Sequence, residues 1–414
     1  MSMNDTPKGE RLQIALFGRR NAGKSSIINA ITGQDLSIVS DIKGTTTDPV
    51  YKAMELLPLG PVMLVDTPGL DDTGELGKER VRRAKRVLNK TDLALIIADG
   101  ASANQDFSFE QDIIQLIQKK EIPYLIILNK QDMWKEHETE YTTLGDICVS
   151  AVTGYHINEL KTKIASSIPA QDEKLRIVGD LIQPGDFIVL VVPIDKAAPK
   201  GRLILPQQQT IRDILESDAT AIVVKEYELR DTLASLGKKP HMVITDSQVF
   251  SKVSADTPKD ILLTSFSILF ARYKGNLETL VNGAKAVSKL KDGDTILIAE
   301  GCTHHRQCDD IGTVKIPRWL KQNTGKALTF ETCSGGSFPE DLSKYALIVH
   351  CGGCTLSKKE MAFRLAEAGD QGIPIVNYGI LIASIQGILE RSLEPVSYTH
   401  LDVYKRQLVN WYNI

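Results

Sequence analysis

Residues 18 to 25 read Gly-Arg-Arg-Asn-Ala-Gly-Lys-Ser, and no other stretch constrains the fold as much. The apolar run LQIALF precedes it and the helical pattern SSIINAIT follows. A G-x-x-x-x-G-K-S string between a strand and a helix is a phosphate cradle. Its glycines let backbone N–H groups wrap an anion at the N-terminus of the helix. Lys24 is placed to reach terminal phosphates and the Ser25 hydroxyl to ligate magnesium. The beginning of the chain is therefore committed to an α/β layer.

The rest of residues 12–170 agrees. VMLVD, LALIIAD and YLIILN alternate with amphipathic segments, which predicts a mostly parallel sheet. At 414 residues the chain has room for more than one core. The pattern lapses around QDEKLRIVGDLIQPGD, then resumes with FIVLVVPID, TAIVVKEY and HMVITD separated by helical patterns. From Ile261 a helical stretch, LLTSFSILFARYKG, is expected to lead to strands TILIAE, ALTFET, YALIVH and IPIVNY. The expected fold is α/β in three domains, a P-loop domain at 1–172 and two smaller, mostly parallel α/β domains at 173–262 and 263–395. No internal repeat is evident in the sequence. Residues 396–414 contain SYTHLDVYKRQ, which looks like translated adaptor sequence, so this tail is expected to be non-native.

Composition narrows the function classes. With 42% hydrophobic and 24% charged residues the chain suits a folded globular protein rather than a disordered one. The formal charge of -3 lacks the basic surplus of a nucleic-acid binder, so no nucleic-acid partner is expected. The polar N-terminus has no leader-like apolar core, and the apolar stretch Ile375 to Leu389 is interrupted by polar residues and glycine. A cytoplasmic location with no membrane span is expected. Six cysteines in such a chain do not suggest a disulfide framework.

Three further segments follow the P-loop in an order that adenine-nucleotide enzymes do not share. Gly44-Thr45-Thr46-Thr47 offers a switch threonine, Thr46, as a magnesium ligand. Asp66-Thr67-Pro68-Gly69 offers a carboxylate near that metal and a glycine N–H, at Gly69, for the γ-phosphate. Asn129-Lys130-Gln131-Asp132 ends the strand YLIILN, and the Asp132 carboxylate can accept two hydrogen bonds from guanine N1–H and N2–H, a pair adenine does not present. Ser150-Ala151 completes the base pocket. The expected GTP site comprises Asn21, Ala22, Gly23, Lys24, Ser25, Ser26, Thr46, Asp66, Gly69, Asn129, Lys130, Asp132, Ser150 and Ala151. Lys24, Thr46, Asp66 and Gly69 carry the hydrolytic roles.

GRRNAGKSS, GTTTD, DTPG and NKQD together resemble the TrmE and Era GTPases over about 150 residues. The resemblance implies that Asn21, with switch-loop carbonyls at about 40–45, holds a potassium ion. Leu70 follows DTPG where Ras-like enzymes carry a glutamine that orients water. Slow hydrolysis, dependent on potassium, dimerisation or a partner, is expected.

A second constellation lies near the C-terminus. Cys302-Thr303-His304-His305 follows TILIAE, and His350-Cys351-Gly352-Gly353-Cys354 ends YALIVH. Carboxyl ends of parallel strands share one edge, so residues about 50 positions apart can converge there. Three soft thiolates suit an iron-sulfur cluster, with zinc bound by Cys and His as the competitor and a metal-free site as the third option. Cys148 and Cys333 read as packing residues, and Cys308 and His305 as loop residues.

A TrmE-like domain, a middle α/β domain and C-x-H followed by H-C-x-x-C are together similar to the HydF family of FeFe-hydrogenase maturation GTPases, over residues 10 to about 395. That resemblance implies a 4Fe-4S cluster on Cys302, Cys351 and Cys354 with a labile fourth site. His304 and His350 stand as fourth ligand or as groups that support the thiolates from behind. It also implies radical-SAM maturases and apo FeFe-hydrogenase as partners, and a homodimer or larger assembly. The competing expectation is a TrmE-like or Era-like RNA or ribosome factor with a structural zinc. A third is a metal-binding GTPase chaperone for another enzyme.

Overall fold

The computed structural model describes residues 6, 8–33, 49–67, 86–101, 108–134, 145–168, 175–193, 203–301, 310–335 and 337–396. The chain divides into two compact units, Met1–Gln171 and Asp172–Ile414.

The first unit is built on a six-stranded sheet in the order β2-β3-β1-β4-β5-β6. Its strands are β1 (Leu12–Phe17), β2 (Val50–Leu56), β3 (Gly60–Asp66), β4 (Leu93–Asp99), β5 (Tyr124–Asn129) and β6 (Ile147–Cys148). All neighbours run parallel except β2 and β3. Edge strand β2, absent from the sequence expectation, alternates half-buried and exposed positions up to the buried Leu56, a weaker apolar signal than the central strands give. In β1, Ile14 and Leu16 enter one core while Ala15 and Phe17 enter the other. Period-two alternation thus covers both faces of the sheet. Helix α1 (Lys24–Thr32) buries Ile27, Ile28 and Ile31 against the first of these cores, beside Leu160 and Ile164 of α3 (Ile157–Ser167). Helix α2 (Ser108–Lys119) puts Ile113 and Ile117 into the second.

The second unit contains two four-stranded parallel sheets. One has the order β10-β9-β7-β8, from β7 (Phe187–Val191), β8 (Thr220–Val224), β9 (Met242–Thr245) and β10 (Leu262–Ser265). The other has the order β12-β11-β13-β14, from β11 (Thr295–Glu300), β12 (Thr329–Ser334), β13 (Leu347–His350) and β14 (Ile375–Asn377). Each sheet thus places its second strand on one flank of the first and its third and fourth on the other. The sequence shows no repeat, but the topology recurs. One continuous hydrophobic core runs through both sheets.

The segment LLTSFSILFARYKG, expected to be helical throughout, is two elements. Leu262–Ser265 is β10, paired to β9, so the first of these sheets extends past the expected boundary at residue 262. Ser265 then caps α7 (Phe266–Lys274), accepting a hydrogen bond from the Ile268 N–H at 3.3 Å. A four-residue apolar run does not distinguish strand from helix by periodicity, and the capping serine was the available signal. Helix α7 packs on α4 (Leu205–Leu215), and also on α10 (Lys358–Asp370) and α11 (Tyr378–Ile385). Between these in the chain come α5 (Leu229–Ser235), α6 (Phe250–Asp256), α8 (Leu277–Lys285) and α9 (Ile316–Thr324). No helix among the described residues is long and apolar enough to cross a membrane. Val396 is fully buried, and 397–414 lie outside the described residues.

Candidate functional site

The P-loop is bent by residues at positive φ: Gly18 (149°), Asn21 (62°) and Gly23 (91°). Two of these positions also lack room for a side chain. A Cβ on Gly18 would sit 2.2 Å from the Ile97 carbonyl oxygen, and one on Gly23 would sit 2.1 Å from Asn129 Nδ2. Lys24 is 7% exposed and donates to the carbonyls of Gly18 and Arg19 at 2.9 and 2.8 Å, so its ammonium lies along the loop it serves. Ser25 Oγ donates to Asp66 Oδ2 at 2.5 Å. Burial raises the Asp66 pKa, opposed by that hydrogen bond and by the charges of Lys24 and Lys52. Both proposed magnesium-side groups, Ser25 and Asp66, are therefore brought together.

Asn129 joins the phosphate loop to the base pocket. Its Nδ2 donates to the Ala22 carbonyl at 3.0 Å, and its Oδ1 accepts from the Ala151 N–H at 3.2 Å. Its own carbonyl accepts from Gly100 N at 3.1 Å and from Trp134 Nε1 at 3.0 Å. Lys130 adopts left-handed backbone and pairs with Asp99 at 2.5 Å. Asp132 accepts from Ser150 Oγ at 2.5 Å, which sets one edge of the carboxylate. Asn21, Ala22, Gly23, Lys24, Ser25, Ser26, Asp66, Asn129, Lys130, Asp132, Ser150 and Ala151 are all described. Thr46, Gly69 and Leu70 lie outside the described residues. Sequence reasoning missed Asp99, Gly100 and Trp134. A Cβ on Gly100 would lie 2.4 Å from the Trp134 ring, a packing constraint that no motif announces.

The Cys351–Cys354 motif falls where the strand order of the last sheet reverses. β11 and β13 are neighbours, with Ala299 opposite His350, and Cys351 N donates to the Ala299 carbonyl at 2.8 Å. Loops after the first and third strands of such a sheet enclose the crevice where ligands bind. Cys351 Sγ accepts the N–H of Gly301 at 3.0 Å and that of Gly353 at 3.4 Å. Gly301 immediately precedes Cys302 in the chain. Gly353 has φ +63°, a left-handed conformation that L side chains rarely adopt, so the Cys-Gly-Gly-Cys turn favours a glycine at that position. Cys302, His304, His305 and Cys308 lie outside the described residues.

Buried charges surround this turn. Lys274, 4% exposed at the end of α7, donates to the carbonyls of Cys354 and Leu356, each at 2.9 Å. Burial raises the Cys354 thiol pKa, and the Lys274 charge opposes that rise. His350 is fully buried, and its Nδ1 lies 2.7 Å from the Cys351 carbonyl oxygen. Its Nε2 lies 3.0 Å from Arg364 Nη1. Burial and the Arg364 charge push the His350 pKa down to about 3. Behind it, Arg364 donates to Glu360 Oε1 at 3.0 and 2.8 Å and to the Gly335 carbonyl at 2.5 Å. On the β11 side, Tyr378 donates to Glu300 Oε1 at 3.3 Å; burial, together with the charges of Cys351 and Glu300, raises the tyrosine pKa. Arg364, Lys274, Glu300 and Tyr378 are the residues sequence reasoning missed here. Glu300 stands two residues before Cys302 in the chain, while the fold brings the others to the motif.

Cys148 and Cys333 behave as packing residues. Cys148 is buried with Trp134 and Leu128, and Cys333 lies against the large core.

A strand, a phosphate loop and a helix, followed by the paired Ser25 and Asp66 and the Asn129-to-Asp132 turn, define a P-loop GTPase domain joined to two parallel α/β sheets. Comparison with known proteins agrees. Residues 13–130 match the family described as a 50S ribosome-binding GTPase. Residues 177–275 match the hydrogen maturase F dimerization domain, and 278–395 the hydrogen maturase F tetramerization domain. The chain belongs to the hydrogen maturase F, or HydF, family, and it carries a GTPase domain. Both family descriptions name self-association.

Among curated relatives, the tRNA modification GTPase MnmE of Methylorubrum populi is 37% identical over 173 residues, covering 40% of this chain and 35% of its own length. GTPase Der of Wolinella succinogenes is 34% identical over 167 residues, covering 37% of this chain and 35% of its own. The chain thus spans about a third of the length of these relatives. Among solved structures, a variant of Aquifex aeolicus Era bound to GDP.AlF4- matches with a TM-score of 0.33 at 20% identity, over 54% of this chain and 98% of that one.

Proposed function

We propose that the chain is a GTP-regulated scaffold that binds a 4Fe-4S cluster through Cys302, Cys351 and Cys354 and delivers the diiron subcluster precursor to apo FeFe-hydrogenase. The observation that carries this reading is the Gly301 N–H on Cys351 Sγ, which ties the loop leading to Cys302 to the Cys-Gly-Gly-Cys turn in a chain of the HydF family. Backbone N–H groups directed at a cysteine sulfur stabilise thiolate and tune a cluster bound through it. The buried cation Lys274, which donates to the Cys354 and Leu356 carbonyls, suits an anionic group at the turn. When bound, the cluster supplies an iron with a position outside the three thiolates, to which an incoming diiron unit can attach.

In the first unit, Lys24 and the P-loop amides hold the β- and γ-phosphates, Ser25 and Thr46 ligate magnesium, and Asp66 supports that metal from the position it shares with Ser25. Gly69 meets the γ-phosphate, and Asp132, with Ser150 and Ala151, reads guanine. Asn21 contributes to a potassium site whose charge offsets the missing glutamine at Leu70. GTP turnover orders and releases the switch loops and so selects between docking of the radical-SAM maturases and of the hydrogenase.

The test is direct. Protein purified without oxygen should be brown, contain iron and sulfide, and, once loaded, activate apo-hydrogenase in vitro. Colourless protein with zinc and GTP hydrolysis stimulated by RNA would replace this reading with an RNA-associated GTPase.

A further inference from the structure

We infer that Arg364 is a positioning residue for the cysteine turn and that it keeps His350 off the metal, so His350 serves the cluster through the Cys351 carbonyl and not as its fourth ligand. The inference rests on the cluster proposed above. A carbonyl oxygen only accepts hydrogen bonds and a guanidinium only donates them. The contacts of His350 therefore fix its tautomer: Nδ1–H donates to the Cys351 carbonyl, and the Nε2 lone pair accepts from Arg364. Neither nitrogen is left to bind iron.

Arg364 has little freedom to release it. The side chain is fully buried and is held by two bonds to Glu360 and one to the Gly335 carbonyl. Glu360 is 4% exposed, and its N–H is capped by Ser357 Oγ at 3.2 Å. Swinging the guanidinium away would break both bonds to the Glu360 carboxylate, a buried charge whose loss of a paired guanidinium is costly. What the imidazole does instead is fix the orientation of the peptide between Cys351 and Gly352. The next peptide presents the Gly353 N–H to Cys351 Sγ, so the chain of contacts from Glu360 through Arg364 and His350 ends at the sulfur itself. Ligand-orienting groups of this kind commonly change metal retention about 10- to 100-fold when removed.

The full chain carrying [15N]histidine, loaded with iron and sulfide and then reduced, should be compared by pulsed EPR with an unlabelled sample and with His350→Asn. The expected result is that any histidine nitrogen coupling of the wild type persists in His350→Asn. A ligand-sized histidine coupling that vanishes in His350→Asn overturns the inference. Iron loss to a chelator gives the second readout. His350→Asn and Arg364→Met should each accelerate it about 10-fold, and the double variant no more than either alone, because both lie on one chain of contacts. Multiplying effects would mean two independent supports and overturn the positioning role. If Arg364→Met does not fold, Arg364→Lys, which keeps the charge beside Glu360 but not the fork, takes its place. A wild-type chain that holds no iron removes the cluster and this inference together, whereas iron with His350 bound to it removes this inference alone.

Discussion

Single residues of the nucleotide site act through steric fit as much as through chemistry. Gly23 leaves room for Asn129 Nδ2, which in turn holds the Ala22 carbonyl. Gly23→Ala should therefore abolish GTP binding in a titration while leaving the second unit folded; retained nanomolar-to-micromolar affinity would show that the loop accommodates a methyl group. Lys24 and Ser25 already have protein partners, so nucleotide arrival exchanges one set of bonds for another. Affinity then depends on a small difference, and a bound cation can tip it. Replacing potassium by sodium at matched ionic strength should slow hydrolysis several-fold or more, since Asn21 and Leu70 suit a potassium-assisted site. Equal rates would remove potassium from the mechanism.

At the scale of elements, what could be read in the sequence depended on how local the signal was. Strand β1, the P-loop and α1 announce themselves by a contiguous motif, and β4, buried on both faces, by an unbroken apolar run. Edge strand β2 and the β10-to-α7 junction did not, because one is half exposed and the other too short for its period to show. The cysteine motifs were legible as chemistry, yet no motif links them to the guanidinium of Arg364, on the helix that follows the turn, or to the ammonium of Lys274, on α7 and remote in sequence. Ser265→Ala removes the cap of α7 and should cost about 1 kcal/mol. In a unit of this size that lowers the melting temperature by roughly 2–4 °C. An unchanged melting curve would mean that packing alone starts the helix.

At the scale of the whole molecule, the P-loop and the Cys351–Cys354 motif lie in separate compact units. Cys354→Ser should accordingly strip iron while leaving GTP affinity within about twofold, an independence expected of sites without shared partners. Lys24→Ala should impair hydrogenase activation in cells yet leave an already loaded protein able to transfer its diiron unit in vitro. A collapse of nucleotide affinity in the cysteine variant would show that the two units are energetically joined. Within the second unit the sites are joined by α7. It begins at the cap that ends β10, inside the family's dimerization domain, and finishes at Lys274, whose ammonium grips the carbonyls of Cys354 and Leu356. Nine residues of helix make a rod about 13 Å long. Such a rod has no soft joint, so the sheet of the dimerization domain and the Cys-Gly-Gly-Cys turn are two ends of one lever.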